Sequence, residues 1–206
     1  MSDFVIVRGP LGIGKSTIAA RLARALEAQV ISIDALLDEL GSVTWESGYI
    51  TQRTFREANR LAAVRAARFL RAGTPVIFDG NFYWRSQIED LIERLPFPHN
   101  VFTLHAPLSV CVDRDRTRAK PYGRKATREV YRKSTEFTYG IEIDANQPLE
   151  AIVQEIRVRR MTHVEERTAG VPPGRQTSTG PRRRPVSRAV AGRRSVPRGP
   201  RSPPAD

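Results

Sequence analysis

Cysteine, lysine and long apolar runs are all scarce in this chain of 206 residues, and each scarcity excludes a class of protein. A single cysteine, Cys111, rules out an internal disulfide, and its place between Val110 and Val112 suits a small buried side chain. The three histidines, at 99, 105 and 163, share no ligand spacing with one another or with Cys111, so no zinc site is implied. No apolar run approaches membrane-spanning length, and the four apolar residues between Asp3 and Arg8 are too few for a secretory leader. The expectation is a soluble, cytoplasmic protein with no membrane partner. Lysine occurs at 15, 120, 125 and 133 alone, so 30 of the 34 basic residues are arginine, a bias of the kind that GC-rich codons produce.

The formal charge of +12 is concentrated at one end. Residues 167 to 206 hold ten arginines against one aspartate, together with eight prolines and five glycines, and lack Leu, Ile and every aromatic. Such a segment cannot bury enough apolar surface to offset the entropy of ordering it. We therefore divide the chain into a folded domain, 1–164, and a disordered Arg/Pro-rich basic tail, 165–206.

The densest signal lies near the start. Gly9-Pro10-Leu11-Gly12-Ile13-Gly14-Lys15-Ser16-Thr17 spells GxxxxGK[ST], directly after the apolar run Phe4-Val5-Ile6-Val7. This is the phosphate cradle of nucleoside triphosphate sites: glycines let successive amides converge on the β-phosphate at the positive end of the next helix. Lys15 is positioned to bridge the β- and γ-phosphates, and the Ser16 hydroxyl to meet a partly hydrated magnesium ion. The helix signature follows as required, with Ile18, Leu22 and Leu26 four apart.

The rest of the body reads as further strand and helix pairs. Val30–Ile33 is a second strand, followed by a brief helix ending at Gly41; residues 42–50 read as irregular. Phe55, Ala58, Ala62, Ala66 and Phe69 mark a long amphipathic helix closed by Gly73. Pro75–Phe78 is strand three, and Ser86 with Glu89 spells a capping box for the next helix. Val101–Leu104 is strand four, Pro107 opens a helix broken at 120–124, and a short helix near 128–137 precedes strand five, Ile141–Ile143. Pro148 starts a last helix that buries Leu149, Ile152, Val153 and Ile156. Short apolar strands alternating with helices predict a three-layer α/β/α sandwich around a parallel sheet, with ligands beyond the carboxyl ends of the strands.

Those ends carry the candidate chemistry. Asp79, after Val-Ile-Phe, matches a Walker-B carboxylate holding a magnesium-bound water, and also fits a simple Asp-Gly turn. Asp34 suits three jobs: aligning or deprotonating an acceptor hydroxyl, binding the metal, or capping the helix that starts at Ala35. Asn81 and Arg85 lie where an acceptor would approach, with Arg85 as the anchoring cation. Arg114 and Arg118, four apart on one helix, begin a cationic lid of about residues 114–128 that continues through Arg116, Lys120, Arg124 and Lys125. An arginine closing on a phosphoryl group in flight neutralises its equatorial oxygens; the alternative is a solvated face balanced by Asp113 and Asp115.

With GPLGIGKST, ISID, VIFDGNF, CVDRDRTR and IEID in this order, residues 4 to 160 resemble the small P-loop kinases of metabolites. That group includes gluconate, shikimate and adenylylsulfate kinases, zeta-toxin-like and chloramphenicol-phosphotransferase-like enzymes, and polynucleotide 5′-kinases. The resemblance implies the P-loop NTPase fold, with five parallel strands in the order 2-3-1-4-5, ATP with Mg2+, a lid closing over both substrates, and an adenine near Asp144–Pro148. The Asp-Gly-Asp that follows strand two in adenylylsulfate kinases is absent, since residues 32–36 read Ser-Ile-Asp-Ala-Leu.

The leading expectation is an ATP-dependent phosphotransferase acting on a hydroxyl of a small-molecule acceptor. The alternative is a nucleic-acid-associated ATPase or polynucleotide 5′-kinase, with unspecific nucleic acid binding through the aromatic-free tail.

Overall fold

Side chains alternate across the first strand, β1 (Phe4–Arg8): Phe4 and Ile6 join one hydrophobic cluster, Val5 and Val7 another. A strand buried on both faces must have helices on both sides, and the remaining elements supply them. The structure, a computed structural model, describes residues 2–169, with side chains through residue 160. After β1 come α1 (Lys15–Leu26), β2 (Gln29–Ser32), α2 (Ile33–Leu40), the short strands β3 (Trp45–Glu46) and β4 (Tyr49–Ile50), and α3 (Gln52–Arg71). Then follow β5 (Val76–Asp79), α4 (Arg85–Arg94), β6 (His99–His105), α5 (Leu108–Arg116), α6 (Arg124–Ser134), β7 (Ile141–Asp144) and α7 (Leu149–Ala169).

Five strands form one parallel sheet in the order β2-β5-β1-β6-β7. Counted by their own succession this is 2-3-1-4-5, the expected order. One face packs on α2, α3 and α4 through Ile33, Leu36, Phe55, Ala58, Ala62, Ala66, Ile88 and Leu91. The other packs on α1, α5 and α7 through Ile18, Leu22, Cys111, Ile152 and Ile156. Alanine at 58, 62 and 66 lets α3 lie close to the sheet, and burial of these side chains, about 25 cal/mol per Å² of apolar area, is the main stabilising term.

Several local expectations are corrected. Residues 42–50 contain a β-hairpin, Trp45 pairing with Ile50 and Glu46 with Tyr49. Its Ser47-Gly48 turn has φ of 52° and 83°, the two left-handed residues that match the twist of a tight hairpin. Ser86 caps nothing: α4 starts after Trp84 with no side-chain cap, and the Ser86 hydroxyl donates to Gln52 Oε1. On α3 the inward stripe continues to Leu70, four residues beyond Ala66, so Phe69 turns 37% exposed. The helix expected near 128–137 begins earlier, at Arg124, and strand two ends at Ser32 with Ile33 already helical. The α7 backbone runs to Ala169, so residues 165–169, assigned to the tail from sequence, are helical. The remainder of that tail lies outside the described residues.

No helix among the described residues is long and apolar enough to cross a membrane.

Candidate active site

The loop leaving β1 turns through Gly12 (φ +80°) and Gly14 (φ +103°), backbone states that an L side chain rarely adopts. Gly12 is also where space runs out, because an added Cβ would lie 2.1 Å from the Cys111 carbonyl oxygen of α5. Gly14 is the N-cap of α1 and offers no side chain, and the first turn of α1 has no acidic residue. The leading amides of the helix therefore keep their hydrogen-bonding capacity for an anion, with the positive end of the helix dipole behind them.

Lys15 is buried in this turn, 7% exposed, and donates to the Pro10 carbonyl (2.9 Å) and to Asn81 Oδ1 (3.0 Å). Two of its three ammonium hydrogens are thus occupied and one is left for a phosphate oxygen. Burial lowers its pKa, while the charges of Asp79 and Asp34 pull it back up. Asn81, expected to meet an acceptor, holds the lysine through its Oδ1. Asp34 stands on the first turn of α2 rather than on a strand end, and it does not cap that helix: the Ser32 hydroxyl does, accepting from Ala35 N at 3.3 Å. Asp34 is exposed on the cleft wall, and the protein mass around the cleft raises its pKa above the ordinary 3.8 by partial desolvation, with Lys15 opposing and Asp79 reinforcing the rise.

Asp79 ends β5, 6% exposed, and its Oδ1 has no hydrogen-bond partner. An orphaned buried carboxylate oxygen beside Lys15 suits a water held on a hydrated divalent cation, and Ser16, one residue beyond the lysine, adds an exposed hydroxyl. The donor set fits magnesium, a hard ion that takes few protein ligands and keeps waters.

A cleft of about 400 Å³ is lined by residues 11–18 together with Asp34, Arg114, Thr117, Arg118, Gln147, Leu149 and Ile152. It brings together the phosphate cradle, one candidate carboxylate, both lid arginines and the start of α7. The arginines differ in engagement. Arg114 Nη1 donates to the carbonyls of Ile13 (2.9 Å) and Ala145 (3.0 Å), tying the cradle to the β7–α7 loop. Arg118 lies over the Tyr122 ring at 4.9 Å, with Asp115 at 4.0 Å, and keeps its donors freer. Asp115, weighed from sequence as a surface counter-charge, is 1% exposed and accepts from the amides of Tyr122 (3.3 Å) and Gly123 (2.9 Å), pinning the break between α5 and α6.

Arg85 does not line this cleft. It sits on the first turn of α4 with its guanidinium 5.3 Å from the Phe137 ring centre and 5.4 Å from that of Tyr139.

Sequence reasoning missed two features. Arg8, the last residue of β1, is fully buried and donates to the Phe82, Phe137 and Ser134 carbonyls and to the Thr103 hydroxyl. Desolvation, then the charge of Arg85, lowers its pKa to about 10. Its signal was an arginine closing an otherwise apolar strand. The second is an aromatic wall. The hairpin is stitched to the β5–α4 loop by Ile50 N donating to Tyr83 Oη (3.0 Å) and Trp84 Nε1 donating to the Ile50 carbonyl (2.9 Å). Tyr49 donates to Glu129 of α6 and accepts from Arg132. Burial pushes the Tyr83 pKa up to about 12, ahead of the charge of Asp34, so its phenol stays protonated at neutral pH.

Parallel sheet, glycine-rich turn and buried lysine define a P-loop nucleotide-binding domain. The chain belongs to the AAA_33 family of AAA domains, whose description matches residues 4–138. Among solved structures it is similar in fold to a gluconokinase from Sinorhizobium meliloti 1021, at 21% identity over 81% of this chain and 96% of that one, with a TM-score of 0.64. A sugar kinase from Janibacter sp. HTCC2649 aligns at 21% identity over 80% and 95% of the two chains, TM-score 0.65. Shikimate kinase from Aquifex aeolicus aligns at 16% over 82% and 99%, TM-score 0.53. Comparison with curated protein sequences gives no match.

Proposed function

We propose that this protein is an ATP- and magnesium-dependent phosphotransferase that moves the γ-phosphoryl group to a hydroxyl of a small molecule in the cytoplasm. The observation that carries the reading is the single cleft that joins the phosphate cradle and Lys15 to Asp34 and Arg118. A site that only bound nucleotide would need neither the carboxylate nor the guanidinium. The kinase fold of the structural neighbours supports it.

In this reading the amides of residues 12–16 hold the β-phosphate, and Lys15 spans the β- and γ-phosphates. Ser16 and Asp79 would hold magnesium, and the ion would supply neutralisation of the charge on the triphosphate tail. Asp34 aligns the acceptor hydroxyl and takes its proton as the acceptor oxygen bonds to the γ-phosphorus. The bond from that phosphorus to the β-phosphate oxygen breaks, and ADP leaves. Arg118 neutralises the equatorial oxygens in flight, while Arg114 holds the cradle in shape. Asn81 positions Lys15, and Arg85 anchors the acceptor.

The test is ADP release measured against a panel of sugars, sugar acids, nucleosides, antibiotics and oligonucleotide 5′-ends. Acceptor-dependent ADP release matched mole for mole by a phosphorylated small molecule supports the reading. Stimulation by oligonucleotides alone, lost on removal of residues 170–206, would replace it with the nucleic-acid alternative.

A further inference from the structure

Arg8 closes β1 directly before the cradle, and a buried cation there is a poor source of stability. Among the described residues it forms no ion pair. Taking a guanidinium out of water with no carboxylate to meet it costs free energy that an apolar side chain of similar size would not. What the arginine supplies is geometry, because four of the five N–H donors of its planar fork are engaged. Nη2 donates to the Ser134 carbonyl at the end of α6 (2.8 Å), and Nη1 to the Phe137 carbonyl beyond it (3.1 Å) and to the Thr103 hydroxyl of β6 (3.2 Å). Nε donates to the Phe82 carbonyl in the β5–α4 loop (3.2 Å). The fork is a fixed post: Arg8 pairs in register with Thr103, and a Cβ on the next residue, Gly9, would lie 3.0 Å from the Leu104 carbonyl oxygen.

The Phe82 bond leads to the cleft. Phe82 is fully buried with φ +46°, a strained state for a phenylalanine that persists only where its surroundings impose it. On one side of Asn81, Gly80 packs so closely that a Cβ there would lie 3.0 Å from the Ile33 Cβ of α2. On the other side Arg8 holds the Phe82 carbonyl. Between these two fixed points Asn81 Oδ1 accepts from Lys15 Nζ at 3.0 Å, and Lys15 lines the cleft. The ammonium is a rotor with three hydrogens: the Pro10 carbonyl and Asn81 take two, and their directions set where the third points. If residues 81 and 82 turned, the rotor would lose one of its two stops.

We propose that Arg8 is a positioning residue for the nucleotide: it holds Phe82 so that Asn81 aims the remaining ammonium hydrogen of Lys15 at the phosphates. The inference rests on Lys15 meeting a nucleotide phosphate and is independent of where the γ-phosphoryl group then goes.

The experiment is a double-mutant cycle read as the Kd of a fluorescent, non-hydrolysable ATP analogue, at a temperature where circular dichroism shows each variant folded. Arg8→Lys keeps a buried charge but replaces the planar fork with one ammonium, which cannot hold Phe82, Ser134 and Phe137 together. It should raise Kd roughly 10-fold, the loss expected when one charge-assisted hydrogen bond to phosphate is misaimed. Asn81→Ala should raise Kd by a similar factor, and the double variant should bind no worse than Asn81→Ala alone, because Arg8 acts through Asn81. A lower Tm with unchanged Kd in Arg8→Lys would make Arg8 a core residue only and overturn the proposal. Equal losses from Arg8→Lys in the wild-type and Asn81→Ala backgrounds, or a wild-type protein that binds no analogue, would overturn it as well. If Arg8→Lys does not fold, Thr103→Val, close in size, withdraws the hydroxyl that Arg8 Nη1 shares with Tyr139 and leaves the arginine in place. A loss of roughly 2- to 5-fold is then expected, again absent from the Asn81→Ala background, and an unchanged Kd refutes the proposal. This binding pattern in a protein that passes phosphate to no acceptor would strike the phosphotransferase reading and leave the role of Arg8 standing.

Discussion

Replacing Gly12 with Ala tests how tightly the phosphate cradle is built against α5. The new methyl would stand 2.1 Å from the Cys111 carbonyl oxygen and 3.4 Å from the Asp115 Cβ, while the backbone stays at φ +80°. The cradle and α5 must part by roughly 1 Å, an overpacking cost of about 1–3 kcal/mol. The left-handed backbone adds about 1–2 kcal/mol for a residue with a Cβ. The expected loss is therefore about 2–5 kcal/mol. The same displacement strains the Arg114 hydrogen bonds to Ile13 and Ala145, so nucleotide affinity should fall further than stability alone explains. Gly14→Ala is the control: φ is +103°, but nothing lies within 4 Å of the added carbon, leaving about 1–2 kcal/mol of backbone strain alone. Urea denaturation gives the stabilities and a fluorescent ATP analogue the affinities. Equal effects of the two substitutions would refute the claim that close packing of Gly12 on α5 shapes the cradle.

Two further outcomes follow from the same geometry. Asp34→Asn should lower kcat by about 10²–10⁴, the usual value of a positioned base. In the wild-type enzyme the acid limb of kcat/KM should lie above pH 3.8, because the carboxyl on the cleft wall, its pKa raised by the surrounding protein and by Asp79, holds its proton longer and must lose it to act; this limb should vanish from the residual activity of the variant. Asp115→Ala leaves the Tyr122 and Gly123 amides without their carboxylate, costing about 1–3 kcal/mol for each group that stays buried. Limited proteolysis should then cut the 117–123 segment faster than in wild type; unchanged cleavage would show that Asp115 does not pin it.

Legibility from the sequence followed the range of the interactions involved. GPLGIGKST is a local device in which nine consecutive residues supply turn, amides and lysine, so it could be read without tertiary information. Strand and helix succession was equally plain, because burial of both sheet faces writes apolar runs into the chain, and the strand order came with the family resemblance. The hairpin was hidden because each strand has two residues, too few to show alternation. Ser86 was misread because a partner 34 residues away, Gln52, outbids the local cap. Arg8 and Asp115 were missed or underrated for one reason: a charged residue reads as surface unless its partners are visible, and those of Arg8 are spread from Phe82 to Phe137. Asn81 and Arg85 were assigned a common purpose from proximity in the chain; Asn81 Oδ1 accepts from Lys15, while Arg85 is the first residue of α4.

The central claim is that Lys15 in its amide nest directs a phosphoryl group from ATP onto a hydroxyl. Its most direct test follows the label of γ-labelled ATP in wild type and in Lys15→Ala, with circular dichroism to verify that the variant stays folded. The account predicts label appearing on the small-molecule acceptor with wild type, and a fall of at least about 10² in that transfer when the lysine is removed. Label released solely as free phosphate, or transferred equally well by Lys15→Ala, would contradict it.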